Sequence, residues 1–128
     1  PYALVKSLRK VGDRVAAEPF DVKFDQLSGS TRSLALRPQH GIPELKRLQQ
    51  TVTDRMREAG APMRKDWRYS PHVTLFYRNG SPFVRPVPEF GWRAQELFLI
   101  RSHVGRTHHD VVDHWVLRPE EQSQFNLF

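Results

Sequence analysis

Residues 70–78 read Ser-Pro-His-Val-Thr-Leu-Phe-Tyr-Arg, and the interpretation of the whole chain starts from them. Pro71 biases the residue before it towards an extended backbone, and the β-branched and aromatic residues that follow are typical of a strand. Alternation along this strand predicts that His72, Thr74 and Phe76 share one face. An imidazole and a hydroxyl two residues apart can act together on the oxygens of one ligand, although this spacing is also common by chance.

The segment before this strand predicts an amphipathic helix from Pro43 to Ala59. Its apolar residues recur at helical spacing on one face, and its charged residues lie elsewhere. These apolar residues are Leu45, Leu48, Val52, Met56 and Ala59. Gly60 follows them and favours the end of the helix. We interpret the apolar stripe as core packing rather than as a binding surface.

The chain before this helix predicts one more helix and two strands. Residues 1–17 have apolar side chains at helical spacing, and Pro19 ends that segment. Apolar residues alternate with charged ones over 20–25, which predicts a half-buried strand that ends at 27–30. Residues 33–36 are apolar on both faces and predict a strand inside its sheet, followed by a loop over 37–41.

The chain after the helix predicts three strands, over 67–77, 90–100 and 108–117. The three prolines within 82–88 indicate a loop, and 104–107 a turn. The order of elements predicts an α+β fold with two helices packed on largely antiparallel strands. We expect one domain over 1–118, followed by a tail over 119–128.

Composition limits the chemistry. The 128 residues include 20 Lys and Arg, 14 Asp and Glu and no Cys, for a formal charge of +6. Without Cys there is no disulfide framework, thiolate nucleophile or Cys-ligated zinc site. The longest apolar run, over 97–100, is too short to cross a membrane. The positive charge favours an anionic partner such as nucleic acid, or serves only solubility.

A group of histidines and aspartates near the end of the chain could form a metal site, namely His103, His108, His109 and His114 with Asp110 and Asp113. On one strand His108, Asp110 and His114 share a face, but these ligands would span about 20 Å at ~3.3 Å per residue. Neighbouring His108 and His109 point to opposite faces. We therefore expect no metal site there and interpret these residues as solvated.

Residues 71–75, Pro-His-Val-Thr-Leu, together with the preceding helix and the Trp-Arg-Tyr at 67–69, resemble the second signature of the 2H phosphoesterases. The RNA 2',3'-cyclic phosphodiesterases, also called 2'-5' RNA ligases, are the most similar branch. Further segments resemble successive elements of that family, namely 19–24, 33–36, 43–45, 96–102 and 111–117. The resemblance implies a bilobal fold with pseudo-two-fold symmetry and a cytoplasmic location.

The resemblance also implies a mechanism. Family members carry two His-x-Thr or His-x-Ser motifs that face each other across a cleft, and they need neither metal nor cofactor. One histidine acts as general base and the other as general acid, while the threonines hold the phosphate. His72 and Thr74 would then open 2',3'-cyclic phosphate ends of RNA, or cyclic nucleotides, to 2'-phosphates. Whether 2'-5' ligation accompanies hydrolysis, and which role His72 takes, stay open.

This sequence departs from the family pattern because only one His-x-Thr motif is present. By resemblance the first motif would lie just before Pro1, so we expect the partner histidine outside these residues and the chain alone to lack full activity. The family often has an Arg five residues after the motif His, where this chain has Tyr77. Arg78 comes next, and alternation places it on the face of His72. The further substrate-binding candidates are Tyr77, Tyr69 and Arg68, with Trp67 beside them.

The alternative to an enzyme is a non-catalytic relative that binds RNA ends or nucleotides through Arg78 and the aromatic residues. For the aromatic residues, ordinary strand packing is the competing interpretation.

Overall fold

The computed structural model describes residues 2–65, 68–103 and 108–119, and these form two helices and six strands. In chain order the elements are α1 (Tyr2–Asp13), β1 (Phe20–Gly29), β2 (Ser33–Arg37), α2 (Pro43–Glu58), β3 (Val73–Tyr77), β4 (Phe83–Ala94), β5 (Glu96–His103) and β6 (His108–Val116). The first strands and both helices follow the predicted order, and the structure adds one strand after α2. None of the described helices is long and apolar enough to cross a membrane.

The strands form two antiparallel sheets. The larger has the order β3-β2-β1-β4, and the smaller pairs β5 with β6. Since every pairing is antiparallel, the predicted α+β class is confirmed. β2 lies inside the larger sheet, as its two-sided apolar pattern predicts.

The core lies between the larger sheet and α2. Phe20, Val22 and Phe24 alternate along β1 and are all buried, which confirms the predicted strand face. Leu45 and Leu48 of α2 pack against this row. Burying one such side chain stabilises the fold by about 1.5–3 kcal/mol, so this contact holds α2 on one face of the sheet. The opposite face is left without a helix in the described part of the chain.

The helices end close to where the sequence predicts. α2 ends at Glu58, and Gly60 beyond it has a φ of 70°, the left-handed region that glycine adopts without strain. α1 ends four residues before the predicted Ala17. The N–H of Ala17 donates to the carbonyl of Arg118, which follows β6, at 2.9 Å. Ala17 is therefore bonded to another part of the chain and does not continue α1.

β1 ends at Gly29, inside the predicted range 27–30, but residues 27–29 still belong to the strand, because Gly29 pairs with Leu34 of β2 and Phe83 of β4. The turn comes after it, where the hydroxyl of Ser30 accepts hydrogen bonds from the N–H groups of Arg32 and Ser33 at 3.2 and 3.1 Å. β1 is therefore 10 residues long, against 5 in β2 and 12 in β4.

The proline-rich stretch predicted as a loop belongs to β4, which is the extra strand. Proline cannot donate to a sheet ladder, and it is tolerated here because β4 is an edge strand with a partner on one side. The register of β1 with β4 shifts between Phe24 and Gln26, because β4 advances four residues there, from Phe90 to Pro86, while β1 advances two. The predicted strand over 90–100 is divided at Gln95, where the chain leaves the larger sheet for the smaller one.

α1 holds the smaller sheet in place. The indole N–H of Trp115 on β6 donates to Asp13 at 2.7 Å, and Arg9 forms an ion pair with Asp113 at 3.4 Å. Gly12 lies directly against the Trp115 ring, which leaves no room for a side chain there. The predicted turn at 104–107 and most of the predicted tail, 120–128, lie outside the described residues.

Candidate active site

His72 is exposed at the point where the chain enters β3. Its Nδ1 lies 2.7 Å from the carbonyl oxygen of Ser70. A carbonyl can only accept, so Nδ1 carries the hydrogen and donates it. In neutral His72 the lone pair is then on Nε2, which the carbonyl bond leaves available. This imidazole can take up a proton at Nε2 or release one from it.

A bulge in β3 determines which residues accompany Thr74. Leu75 has no partner in β2, whereas Thr74 pairs with Ala35 and Tyr77 pairs with Ser33. Partners in an antiparallel pair share a face, and Ser33 and Ala35 are two residues apart on a regular strand. Thr74 and Tyr77 therefore share one face of the sheet, and both are exposed.

The same bulge corrects the prediction that Phe76 lies beside Thr74. Phe76 pairs with Leu34, which points to the other face. The extra residue reverses the alternation, because a bulge lets two residues of one strand oppose one residue of its partner. The argument that alternation brings Arg78 to the face of His72 fails for the same reason.

The face that carries Thr74 is polar, and we call it the polar face. By the registers of β1 with β2 and of β2 with β3, its residues on these strands include Gln26, Ser28, Ser33, Ala35, Arg37, Thr74 and Tyr77. The opposite face carries Leu36 and Val73, which pack against the core below α2. In the described part of the chain the polar face thus lies opposite the face that packs on α2, and Thr74 and Tyr77 on it are exposed, whereas Ala35 is buried.

Arg37 is the cation next to His72, and the sequence analysis missed it by assigning it to a loop. The pairing of Leu36 with Val73 makes Arg37 and His72 the next opposed positions. The guanidinium of Arg37 donates to the hydroxyl of Ser70, whose carbonyl holds His72. The alternation of Ser33, Ala35 and Arg37 along β2 indicates that they share a face. It places Arg37 close to His72 only once β3 is known to pair with β2.

Arg78 lies at the other end of β3 from His72. Its backbone N–H donates to the carbonyl of Arg32 at 2.8 Å, and its guanidinium lies 5.6 Å from the centre of the Phe83 ring. Six residues at ~3.3 Å each separate it from His72 by about 20 Å along the strand. The structure therefore does not bring these two predicted site residues together.

The other predicted site residues differ in their surroundings. Arg68 is exposed, and Trp67 lies outside the described residues. Tyr69 is half-buried, and its hydroxyl is buried without a hydrogen-bond partner in the described part of the chain. This burial raises the pKa of Tyr69 above its ordinary value. Tyr77 is 66% exposed on the polar face, where its ring is accessible.

Two histidines and an aspartate meet elsewhere, at the end of the β5–β6 pair. His103 and His108 are cross-strand partners, and both contact Asp110. Hydrogen bonds from His103 and His108 lower the pKa of Asp110. The spacing along one strand separates His108 from His114, whereas His103 enters this cluster from the neighbouring strand as the partner of His108.

Comparisons with known proteins agree on one family. A sequence model of the 2'-5' RNA ligase superfamily matches residues 3–106. No curated protein matches the chain. Solved structures of Escherichia coli LigT are similar: in the complex with 3'-AMP the identity is 20% and the TM-score 0.69, over 91% of this chain and 70% of LigT.

Two further structures support the same fold. The apo form of LigT has a TM-score of 0.70 at 19% identity, over 92% of this chain and 70% of LigT. The protein TT0787 of Thermus thermophilus has a TM-score of 0.58 at 20% identity, over 94% of this chain and 73% of that protein. The predicted likeness in fold is confirmed by these matches.

Proposed function

The chain belongs to the 2'-5' RNA ligase superfamily, and we propose that it is an RNA 2',3'-cyclic phosphodiesterase. In this proposal it hydrolyses 2',3'-cyclic phosphate ends to 2'-phosphates, with His72 as one of two acid–base histidines. The observation that carries the proposal is His72 itself, which is exposed at the entry to β3 and whose Nδ1 is held by the Ser70 carbonyl.

The reaction needs two proton transfers at one phosphorus. A water attacks the phosphorus and gives a proton to one imidazole, while the bond from phosphorus to the ribose 3' oxygen breaks. The other imidazole gives a proton to that oxygen, which leaves as a hydroxyl, and the phosphate stays on the 2' oxygen. Nε2 of His72 serves either transfer, since a neutral imidazole accepts and a protonated one donates.

Thr74 and Arg37 supply the electrostatic part of the proposal. The hydroxyl of Thr74 donates to a non-bridging phosphoryl oxygen, and the guanidinium of Arg37 offsets the negative charge that grows there during attack. We assign Arg37 this task in place of Arg78, because Arg37 contacts the residue that holds His72. LigT has been crystallised with 3'-AMP and with phosphate, which supports an anionic nucleotide ligand for this fold.

The test is hydrolysis of a 2',3'-cyclic nucleotide by the 128-residue chain and by the longest reading frame that contains it. In whichever form is active, we expect His72→Asn to lower turnover by at least ~10², the usual contribution of general acid–base catalysis. Thr74→Val keeps the β-branched shape and removes the hydroxyl, so we expect a loss of about tenfold or more. His109→Asn, an exposed histidine on β6, is the matched control and keeps full activity.

A non-catalytic nucleotide-binding relative is the second candidate, because the sequence holds one His-x-Thr motif. Titration with a nucleoside 2'-phosphate separates the two. Binding that depends on Arg37 and Thr74, without hydrolysis by either form of the protein, favours the binder and overturns the phosphodiesterase. Normal turnover by the His72→Asn variant would also contradict the proposed mechanism.

A further inference from the structure

The β5–β6 pair ends in a cluster of two histidines and one carboxylate. Nε2 of His103 lies 2.7 Å from Oδ2 of Asp110, and Nε2 of His108 lies 2.9 Å from Oδ1 of the same residue. The centres of the two imidazole rings lie 5.1 Å apart. The donor atoms of all three residues lie within 4.8 Å of one another.

We propose that His103, His108 and Asp110 form a binding site for a divalent transition-metal ion, with Zn²⁺ as the best fit. Imidazole nitrogen and carboxylate oxygen are ligands that Zn²⁺ takes in a tetrahedral arrangement, and water completes a site with three protein ligands. The same donors also suit Cu²⁺ and Ni²⁺, whereas Mg²⁺ and Ca²⁺ prefer all-oxygen sites.

The backbone register places these ligands. His103 pairs with His108, and Arg101 pairs with Asp110 two residues further on. Cross-strand partners and residues two apart share a face, so both imidazoles and the carboxylate project from the same side of the ribbon. The pairing of β5 with β6 brings the three side chains together, so the long spacing between ligands along a single strand does not apply here.

The side chains need only a small adjustment to hold the ion. Zn–N and Zn–O distances of about 2.0–2.2 Å at a tetrahedral angle put neighbouring ligand atoms about 3.3–3.5 Å apart. Nε2 of His103 therefore moves away from the carboxylate oxygen that it contacts by about 0.6–0.8 Å, and Nε2 of His108 by about 0.4–0.6 Å. The His108 and Asp110 side chains are 64% and 53% exposed, so rotation about their side-chain bonds provides this movement without repacking the core.

Charge favours a cation over an anion in the cluster. The Asp110 carboxylate lies between the two imidazoles and repels a phosphate, while it attracts a metal ion. Arg101 shares this face and lowers the affinity for a cation without supplying a ligand. Replacing Arg101 therefore separates a metal site from a purely structural hydrogen-bond cluster.

The experiment is calorimetric titration of the whole 128-residue chain with ZnCl₂. We expect one ion per chain, and a loss of at least tenfold in affinity in each of His103→Asn, His108→Asn and Asp110→Asn. His109→Asn is the matched control, because His109 lies between two of the ligands and points to the opposite face as the partner of Ser102. Arg101→Gln is expected to increase the affinity, whereas a structural cluster predicts no gain.

A second measurement does not depend on affinity alone. Co²⁺ is expected to give intense visible absorption bands when the protein replaces its water shell with nitrogen ligands, and these bands should be absent in His103→Asn. Thermal unfolding of each variant without metal checks that the fold is kept. The proposal is overturned if His109→Asn weakens Zn²⁺ binding as much as the three ligand variants do. It is also overturned if the three ligand variants leave the Zn²⁺ affinity unchanged.

Discussion

At the scale of single residues, the hydrogen bond from Nδ1 to the Ser70 carbonyl is what makes His72 suitable for proton transfer. It fixes the tautomer, so that exchange with a ligand proceeds through Nε2. Pro71 keeps the preceding backbone extended, and Arg37 holds the Ser70 side chain. The imidazole is therefore oriented by the chain around it, although it is itself exposed.

Tyr69 shows the opposite situation, a buried hydroxyl without a partner in the described residues, and its removal is expected to stabilise the protein. We expect Tyr69→Phe to raise the free energy of unfolding by about 1 kcal/mol at pH 7, since an unpaired buried polar group is costly. The pKa of Tyr69 is raised in the folded state. Stability is thus lost as the pH rises past the pKa of the unfolded chain, about 10, and Tyr69→Phe removes that loss.

The measurement is urea unfolding at pH 7 and at pH 10.5, with the same buffer and salt. The advantage of Tyr69→Phe should be larger at pH 10.5. Tyr77→Phe is the control, because Tyr77 is 66% exposed and its substitution should change neither value appreciably. A destabilised Tyr69→Phe variant would mean that the hydroxyl makes a useful hydrogen bond after all.

At the scale of elements, the sequence predicts what is encoded locally. The packing of Leu45 and Leu48 from the α2 stripe and the alternation of Phe20, Val22 and Phe24 were predicted correctly, because each pattern depends only on the period of its own element. Ala59, the last residue of the predicted stripe, lies beyond α2 and is exposed. The bulge at Leu75 and the place of Arg37 beside His72 depend on which strands pair and in what register. No local pattern contains that information, so the polar face could be predicted only in part.

The proline-rich β4 is a whole strand whose prediction depends on the order of strands in the sheet. Its two prolines, Pro86 and Pro88, argue against a strand with two partners, and they are compatible with an edge position. The order of strands, which places β4 at the edge beside β1, is a property of the sheet. A single sequence could therefore exclude an inner strand here, but it could not choose between a loop and an edge strand.

The end of α2 offers a prediction at this scale, because Gly60 has a φ of 70° with open space around it. We expect Gly60→Ala to lower the free energy of unfolding by about 1–2 kcal/mol, the cost of a left-handed conformation for a residue with a Cβ. Gly41→Ala is the matched control, since its surroundings are equally open and its φ is not in that region. Equal losses in the two variants, measured by urea unfolding, would remove the conformational explanation.

At the scale of the whole molecule, the two faces of the larger sheet differ: one packs in the core, and the other carries residues of the proposed site. Its apolar face packs on α2, and the polar face carries Thr74, Arg37 and the exposed ring of Tyr77. Substitutions at Thr74 and Tyr77, the exposed residues of the polar face, should therefore test the proposed ligand binding with little effect on folding. The smaller sheet is attached separately, through α1 and the Trp115 contact.

The net charge of +6 leads to a prediction that distinguishes general attraction from a specific site. Binding of a short single-stranded RNA with a 2'-phosphate end should weaken with salt, and each phosphate contact adds about 0.7 to the slope of log affinity against log salt concentration. Arg37→Gln and Arg57→Gln each remove one of 20 basic residues and lower the charge from +6 to +5. Arg57 is 70% exposed on α2, away from the polar face.

We expect Arg37→Gln to lower the slope by about 0.7 and to weaken binding at every salt concentration, because it removes a direct contact with phosphate. Arg57→Gln should leave the slope close to that of the parent chain, because at moderate salt a distant charge is screened within about 10 Å. Fluorescence anisotropy with end-labelled RNA measures both. If the two variants behave alike, the positive charge acts as a whole and Arg37 has no particular role beside His72.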